Sequence, residues 1–160
     1  MVTAATLAAL GAALAAPAGA ENRRYVREFI TESQALLGDV EATRTQLATS
    51  LGTAPPGGRP DPSRDPMGDL GSFYQRFGGS IDRVIAKMRK LSEGRQRAEK
   101  TLSPEEAQFT AKVQGDLLRM VQQLSLLQVI VNDAPDRRAL FFEDLGRQAE
   151  AVRRKLREYQ

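Results

Sequence analysis

From Leu70 to Leu102 one line of residues recurs at alternating intervals of four and three: Leu70, Tyr74, Phe77, Ile81, Val84, Met88, Leu91, Arg95, Ala98 and Leu102. Only an α-helix puts positions with that spacing on one face, because its period is about 3.6 residues where a strand's is about 2. Three further segments carry the same rhythm. The first holds Val26, Phe29, Ser33, Leu36, Val40, Thr43 and Leu47, widened by Ile30 and Leu37. The third holds Thr110, Val113, Leu117, Met120, Leu124, Leu127 and Val131, widened by Leu118, Val121, Leu126, Val129 and Ile130. The fourth runs Phe141, Leu145, Gln148, Val152, Lys155 or Leu156, and Tyr159. Between them these lines leave little that is not helix or connector, so the chain is predicted to be all-α.

The breaks are as informative as the runs. Asn22 is suited to cap the first helix, which is expected over about residues 22–51. Gly52 to Pro66 then holds five prolines and three glycines in fifteen residues, which forbids a helix and gives a long Pro/Gly-rich linker, 52–66. The second helix is expected over about 68–101, kinked or in two pieces at Gly78-Gly79, with Ser80 able to cap a fresh start. Ser103, Pro104 and the acids Glu105 and Glu106 mark the next start, with cap, proline at the first helical position and negative charge at the positive end of the dipole. The third helix follows over about 104–132 and is expected to be the most buried; Asn132-Asp133-Ala134-Pro135 breaks it and recaps a fourth over about 136–159. Short second and third connections predict neighbours that run in opposite directions, with the first helix closing the set through the long linker. The expected fold is an antiparallel up-down four-helix bundle, in helices about 37 to 45 Å long.

Residues 1–20 contain no charged side chain, are rich in alanine and leucine, and end in Ala18-Gly19-Ala20 before Glu21. That pattern of apolar stretch and small-x-small site predicts a cleavable targeting segment, leaving 21–160 as a single domain of an exported protein. At 160 residues and 41% hydrophobic content the chain can bury a core without disulfides. It has no cysteine and no histidine, which removes thiolate chemistry, imidazole bases and imidazole metal ligands together. Adjacent acids such as Glu105-Glu106 or Glu143-Asp144 point about 100° apart on a helix and read as helix-end or solvated residues. Met88 and Met120 lie on apolar lines and read as core filler. No phosphate loop or nucleophile elbow is present. The expectation is a protein that is not an enzyme and carries no catalytic residue, cofactor or metal.

Charge is segregated. The second helix carries eight basic against four acidic residues over 68–101, the third two against four over 104–133, and the fourth seven against five from residue 134 onward. Arg83, Lys87, Lys90 and Arg97 repeat at helical spacing off the apolar line, and Arg153, Arg154, Lys155 and Arg157 crowd the end of the fourth helix. Two basic surfaces follow, with Arg83, Lys87, Lys90, Arg97, Arg153, Arg154 and Arg157 as candidate partner-binding residues for an acidic protein or anionic surface. Nucleic acid is disfavoured, because the net charge is only +3 and aromatics are not interleaved with the basic residues. Of the aromatic pairs Phe73-Tyr74 and Phe141-Phe142, a narrow helix face buries one ring well, so Phe73 and Phe142 are candidates for a rim unless the bundle is wide enough to bury them.

From Ser80 to Tyr159, the order of a basic helix, a capped turn, an apolar helix and a terminal helix resembles the PsbQ family of photosystem II extrinsic subunits. The stretches Val113-Gln114-Gly115-Asp116-Leu117-Leu118-Arg119, Asp133-Ala134-Pro135-Asp136 and Phe142-Glu143-Asp144-Leu145 carry the likeness. The resemblance implies a small basic four-helix protein of the thylakoid lumen, held by contact on the lumenal face of a photosynthetic membrane complex. The alternative is a bacterial periplasmic chaperone or envelope scaffold, since Leu102-Ser103-Pro104-Glu105-Glu106 resembles a Leu-Thr-Pro-Glu-Gln motif of small periplasmic stress proteins. A capping box accounts for the same residues. Under either reading the partner is a membrane-associated complex or envelope proteins, met peripherally, and the oligomeric state is open.

Overall fold

The computed structural model describes residues 18–51, 70–133 and 137–159. They form α1 (Ala18–Leu51), α2 (Leu70–Ala98), α3 (Pro104–Asp133) and α4 (Arg138–Glu158), with no strand among the described residues. The linker 52–66 and most of the 1–20 segment lie outside them. One helix, α1, begins earlier than expected, so Ala18-Gly19-Ala20 form its first turn. Asn22 is therefore not its cap. Its side-chain amide instead donates to the carbonyl of Thr101, joining the start of α1 to the turn after α2.

The apolar line of α1 is buried as its spacing requires: Val26, Phe29, Ile30, Ser33, Leu36, Leu37, Val40, Thr43 and Leu47 are all inside. On α2 the buried line is Phe77, Ile81, Val84, Met88 and Leu91, followed by half-buried Arg95, Ala98 and Leu102. That helix runs through Gly78-Gly79 in one piece. The fresh start at Ser80 does not occur, and its hydroxyl donates to Oε1 of Gln46 on α1 at 3.4 Å. Burial of Phe77, Ile81 and Val84 and the packing of α2 against α1 outweigh the propensity cost of the glycines, about 1 kcal/mol each.

The turn between α2 and α3 forms a reciprocal cap. The Ser103 amide donates to Glu106 Oε2 at 2.9 Å, and the Glu106 amide donates to Ser103 Oγ at 3.3 Å. Two orphan donors at the helix start are satisfied by one pair of side chains. Thr110, fully buried, returns its hydroxyl to the carbonyl of Glu106 at 2.8 Å.

The apolar face of α3 is only partly covered, and the expected line of α4 is corrected. Val113, Leu117, Met120, Val121 and Leu124 of α3 are buried, but Leu118 and Leu126 stand 40% and 56% exposed, so its apolar face is wider than its neighbours cover. Among the described residues α1 and α3 each pack against all three other helices, while α2 and α4 each touch α1 and α3 but not each other; the side chains at 127–133, on which the expectation of a most buried α3 partly rests, lie outside the described residues. The bundle section is thus a rhombus whose short diagonal joins α1 and α3. In α4 the buried line is Phe142, Leu145, Ala149, Val152 and Leu156, one residue on from the expected Phe141 and Gln148. The first residue of α4 is preceded by Arg137, which makes no side-chain cap hydrogen bond; of the expected Asn132-Asp133-Ala134-Pro135 break, Asn132 and Asp133 belong to α3, and residues 134–136 lie outside the described residues.

Aromatic rings close one end of the core. Tyr159 stacks on Phe109 at 3.7 Å between centroids, Phe109 meets Phe29 edge-on at 6.4 Å, and Tyr25 lies 6.2 Å from Phe29. Offset and edge-on ring pairs of this kind add to the area they bury.

Candidate interaction surface

The basic line of α2 does not stand free along its length. Lys87 forms an ion pair with Asp39 of α1, and Lys90 holds Glu32 of the same helix at 2.9 Å. The hydrogen bond to Glu32, with its charge, raises the Lys90 ammonium above its ordinary value. Arg83 and Arg97 flank this pair of bridges, exposed and without an ion pair to any described residue.

The end of α4 is likewise part-neutralised. Arg153 bridges Glu150 of its own helix at 2.8 Å and Glu41 of α1. Arg157 holds Glu150 at 3.1 Å, and Lys155 pairs with Asp116 of α3. Glu150 is held below the usual carboxylate range, first by its hydrogen bond from Arg153, against the opposing effect of desolvation, with further lowering from the hydrogen bond and charge of Arg157. Arg153 is raised, chiefly by the same bond. Arg154 is exposed and has no ion pair with a described residue. Of the seven candidates, then, Lys87, Lys90, Arg153 and Arg157 are engaged within the fold, and Arg83, Arg97 and Arg154 have no ion pair among the described residues. The two basic surfaces are not joined, because α1 lies between α2 and α4.

The partners Glu32, Asp39 and Glu41 were not singled out from sequence, although a signal exists. Glu32 and Asp39 are seven residues apart and so share a line on α1, on the flank of its apolar face where coiled coils place interhelical pairs. Exposed bridges of this kind contribute little stability each, but they decide which cations remain available.

Two of the grooves on the surface are apolar enough to hold a partner's side chains. One, of about 630 Å³, lies between α2 and α3 and is lined by Ile85, Met88, Leu118, Val121 and Leu126, with Arg89 as its one charged residue. The other, of about 680 Å³, lies along the first turns of α1, where Val26 and Ile30 form a floor beside Tyr159, Arg23 and Arg27. Of the acids considered for chemistry, Glu106 belongs to the cap, and Asp144 accepts from Gln148 at 2.7 Å and from Arg147 at 3.4 Å. Phe142 is buried and meets Phe141 edge-on at 5.6 Å, so it marks no rim; the side chain of Phe73 lies outside the described residues. No described helix is long and apolar enough to cross a membrane. Comparison of the chain with protein-family models, with curated proteins and with solved structures gives no match.

Proposed function

We propose that this chain is a non-enzymatic, exported helical-bundle protein that acts by contact, as an extrinsic accessory subunit docked electrostatically on a membrane protein complex. The bundle is read as antiparallel and up-down. Support comes from the pairs Asn22–Thr101, Glu32–Lys90, Asp39–Lys87 and Gln46–Ser80, in which α1 ascends while α2 descends, and from Gln114–Ser92 and Asp116–Lys155 for the next two interfaces.

The observation that carries the docking reading is the exposed charge of Arg83 and Arg97 on α2, without an ion pair among the described residues, with Arg154 on α4 as a second point, beside cations that the fold itself neutralises. Exposed guanidiniums steer an acidic partner and pair with its carboxylates bidentately. The partner class follows from the resemblance of residues 80–159 to photosystem II extrinsic subunits of the PsbQ family, which also supplies the thylakoid lumen as location. The test is capture from the protein's own solubilised membranes, at low and at high salt, by the tagged chain and by the Arg83→Glu/Arg97→Glu/Arg154→Glu variant. Subunits of one membrane complex, held at low salt, released at high salt and lost in the variant, are the expected result. A spread of unrelated unfolded envelope proteins, captured equally by the variant, would replace this reading with the periplasmic chaperone.

A further inference from the structure

The α2–α3 face is the one described surface where large apolar side chains stand exposed beside a groove. Leu118 and Leu126, 40% and 56% exposed, flank Gln122 on α3, and Ile85 forms the opposite wall on α2. Leu140, on α4, is exposed but isolated, which is ordinary for a surface. A contiguous apolar strip with a polar rim is not, and it calls for a covering partner.

The arrangement of the strip says which partner. On α2, Asp82 and Arg89 are exposed, have no ion pair with a described residue, and stand seven residues apart, two turns along one line with Ile85 between them. On α3, Leu118 and Leu126 stand eight residues apart with Gln122 midway. The hydrogen bond from Gln114 Nε2 to Ser92 Oγ at 3.0 Å fixes the register of the two helices. Because the 99–103 turn reverses the chain, Ile85 then lies level with Val121, beside Gln122. The midpoint of the charged pair and the midpoint of the leucine pair therefore fall within about 2 Å of the same height on the bundle. A two-fold axis lying in this face at that height, perpendicular to the helices, sets Arg89 of one copy opposite Asp82 of the other. It also sets Leu118 opposite Leu126, and repeats both contacts by symmetry.

We propose that two copies of this chain pair through the α2–α3 face about that axis, closing the groove against itself. Unlike charges meet at its edges, the leucines are removed from water, and Gln122 of each copy faces its equivalent across the axis. This interface leaves Arg83, Arg97 and Arg154 outside, and it stands whether or not those residues dock on a complex.

Sedimentation equilibrium of the full chain from about 5 to about 500 μM spans the range where an interface of this kind would assemble. The expected result is a monomer–dimer equilibrium that Leu118→Glu shifts fully to monomer. Arg89→Asp and Asp82→Arg, made singly, should each weaken association about tenfold, since each sets like charges opposite at two symmetric places, and the two together should restore it. Helicity and thermal midpoint, measured alongside, separate lost association from lost folding. The chain has no cysteine, so Gln122→Cys gives a clean proximity reading. Under mild oxidation it should cross-link into a dimer, while Gln34→Cys on the exposed side of α1 should not. A wild-type chain that stays monomeric throughout, a dimer indifferent to Leu118→Glu, or a double charge swap that fails to restore what the single swaps lose would overturn the proposal.

Discussion

Gly38 and Gly79 sit in helix interiors with open space where a Cβ would go, whereas a Cβ on Gly146 would lie 3.1 Å from Nη1 of Arg44. The first two carry the helix-propensity cost of glycine with no packing reason for it, so Gly38→Ala and Gly79→Ala should each raise unfolding stability by about 0.5–1 kcal/mol in urea titrations. Gly146→Ala should gain nothing, because the guanidinium it displaces donates to the carbonyl of Phe142 at 3.1 Å and has a buried Nε without a partner. A second residue-scale expectation concerns Tyr25. Desolvation pushes its phenol up to about 12, with smaller effects from neighbouring charges, and its hydroxyl is buried without a partner. The folded chain therefore holds that proton more tightly than the unfolded chain does. The stability this represents is complete below about pH 10 and is lost as pH rises from there through about 12. Desolvation raises Tyr159 as well, so absorbance at the phenolate band should show a late-titrating component that Tyr25→Phe reduces. The sequence marked Tyr25 neither as buried nor as unusual, since it stands one residue before the apolar line and its environment is made by Phe29 of its own helix and charges from α2.

At the scale of elements, the turn before α3 was legible because its signal is local: Ser103, Pro104 and Glu106 satisfy the helix end with their own side chains. Ser103→Ala should cost about 1 kcal/mol, with Glu106→Ala similar and the double variant less than additive, since the two bonds form one device. Helix α4 shows the opposite case. Two lines with the same spacing run along it and share Leu145 and Val152; one adds Phe141, Gln148 and Lys155, the other Phe142, Ala149 and Leu156. The second is apolar throughout, and it is the buried one. Ala149→Gln should destabilise by several kcal/mol through a polar amide forced into full burial, whereas Gln148→Ala should change stability by less than about 0.5 kcal/mol. Equal effects at the two positions would show that the helix is rotated from this register. In α2 the glycine pair suggested a break that tertiary contact overrides, a reminder that propensity is a weak prior where a long face packs.

For the whole molecule the deciding fact is that α1 touches α2, α3 and α4, although in sequence it is the helix set apart by the proline-rich linker. Leu36→Ala on α1 should therefore cost as much as Leu117→Ala on α3, about 2–5 kcal/mol each, in a single cooperative transition read alike by helicity and by tyrosine fluorescence. Two transitions, with the α1 variant affecting only one, would mean that α1 folds apart from the rest. What the residues by themselves determined was the helical class, the number of helices, the buried faces of α1 and α2 and the cap of α3, because periodicity, proline and capping chemistry act within about one or two turns of chain. Which cations stay free, which two helices share the short diagonal, and which of two equally spaced lines α4 buries were decided only by the tertiary structure. Each depends on groups distant in sequence: Glu32, Asp39 and Glu41 reach across to α2 and α4, and α1 takes the short diagonal with α3. A helix face can be read from spacing, but its occupant is set by what packs against it.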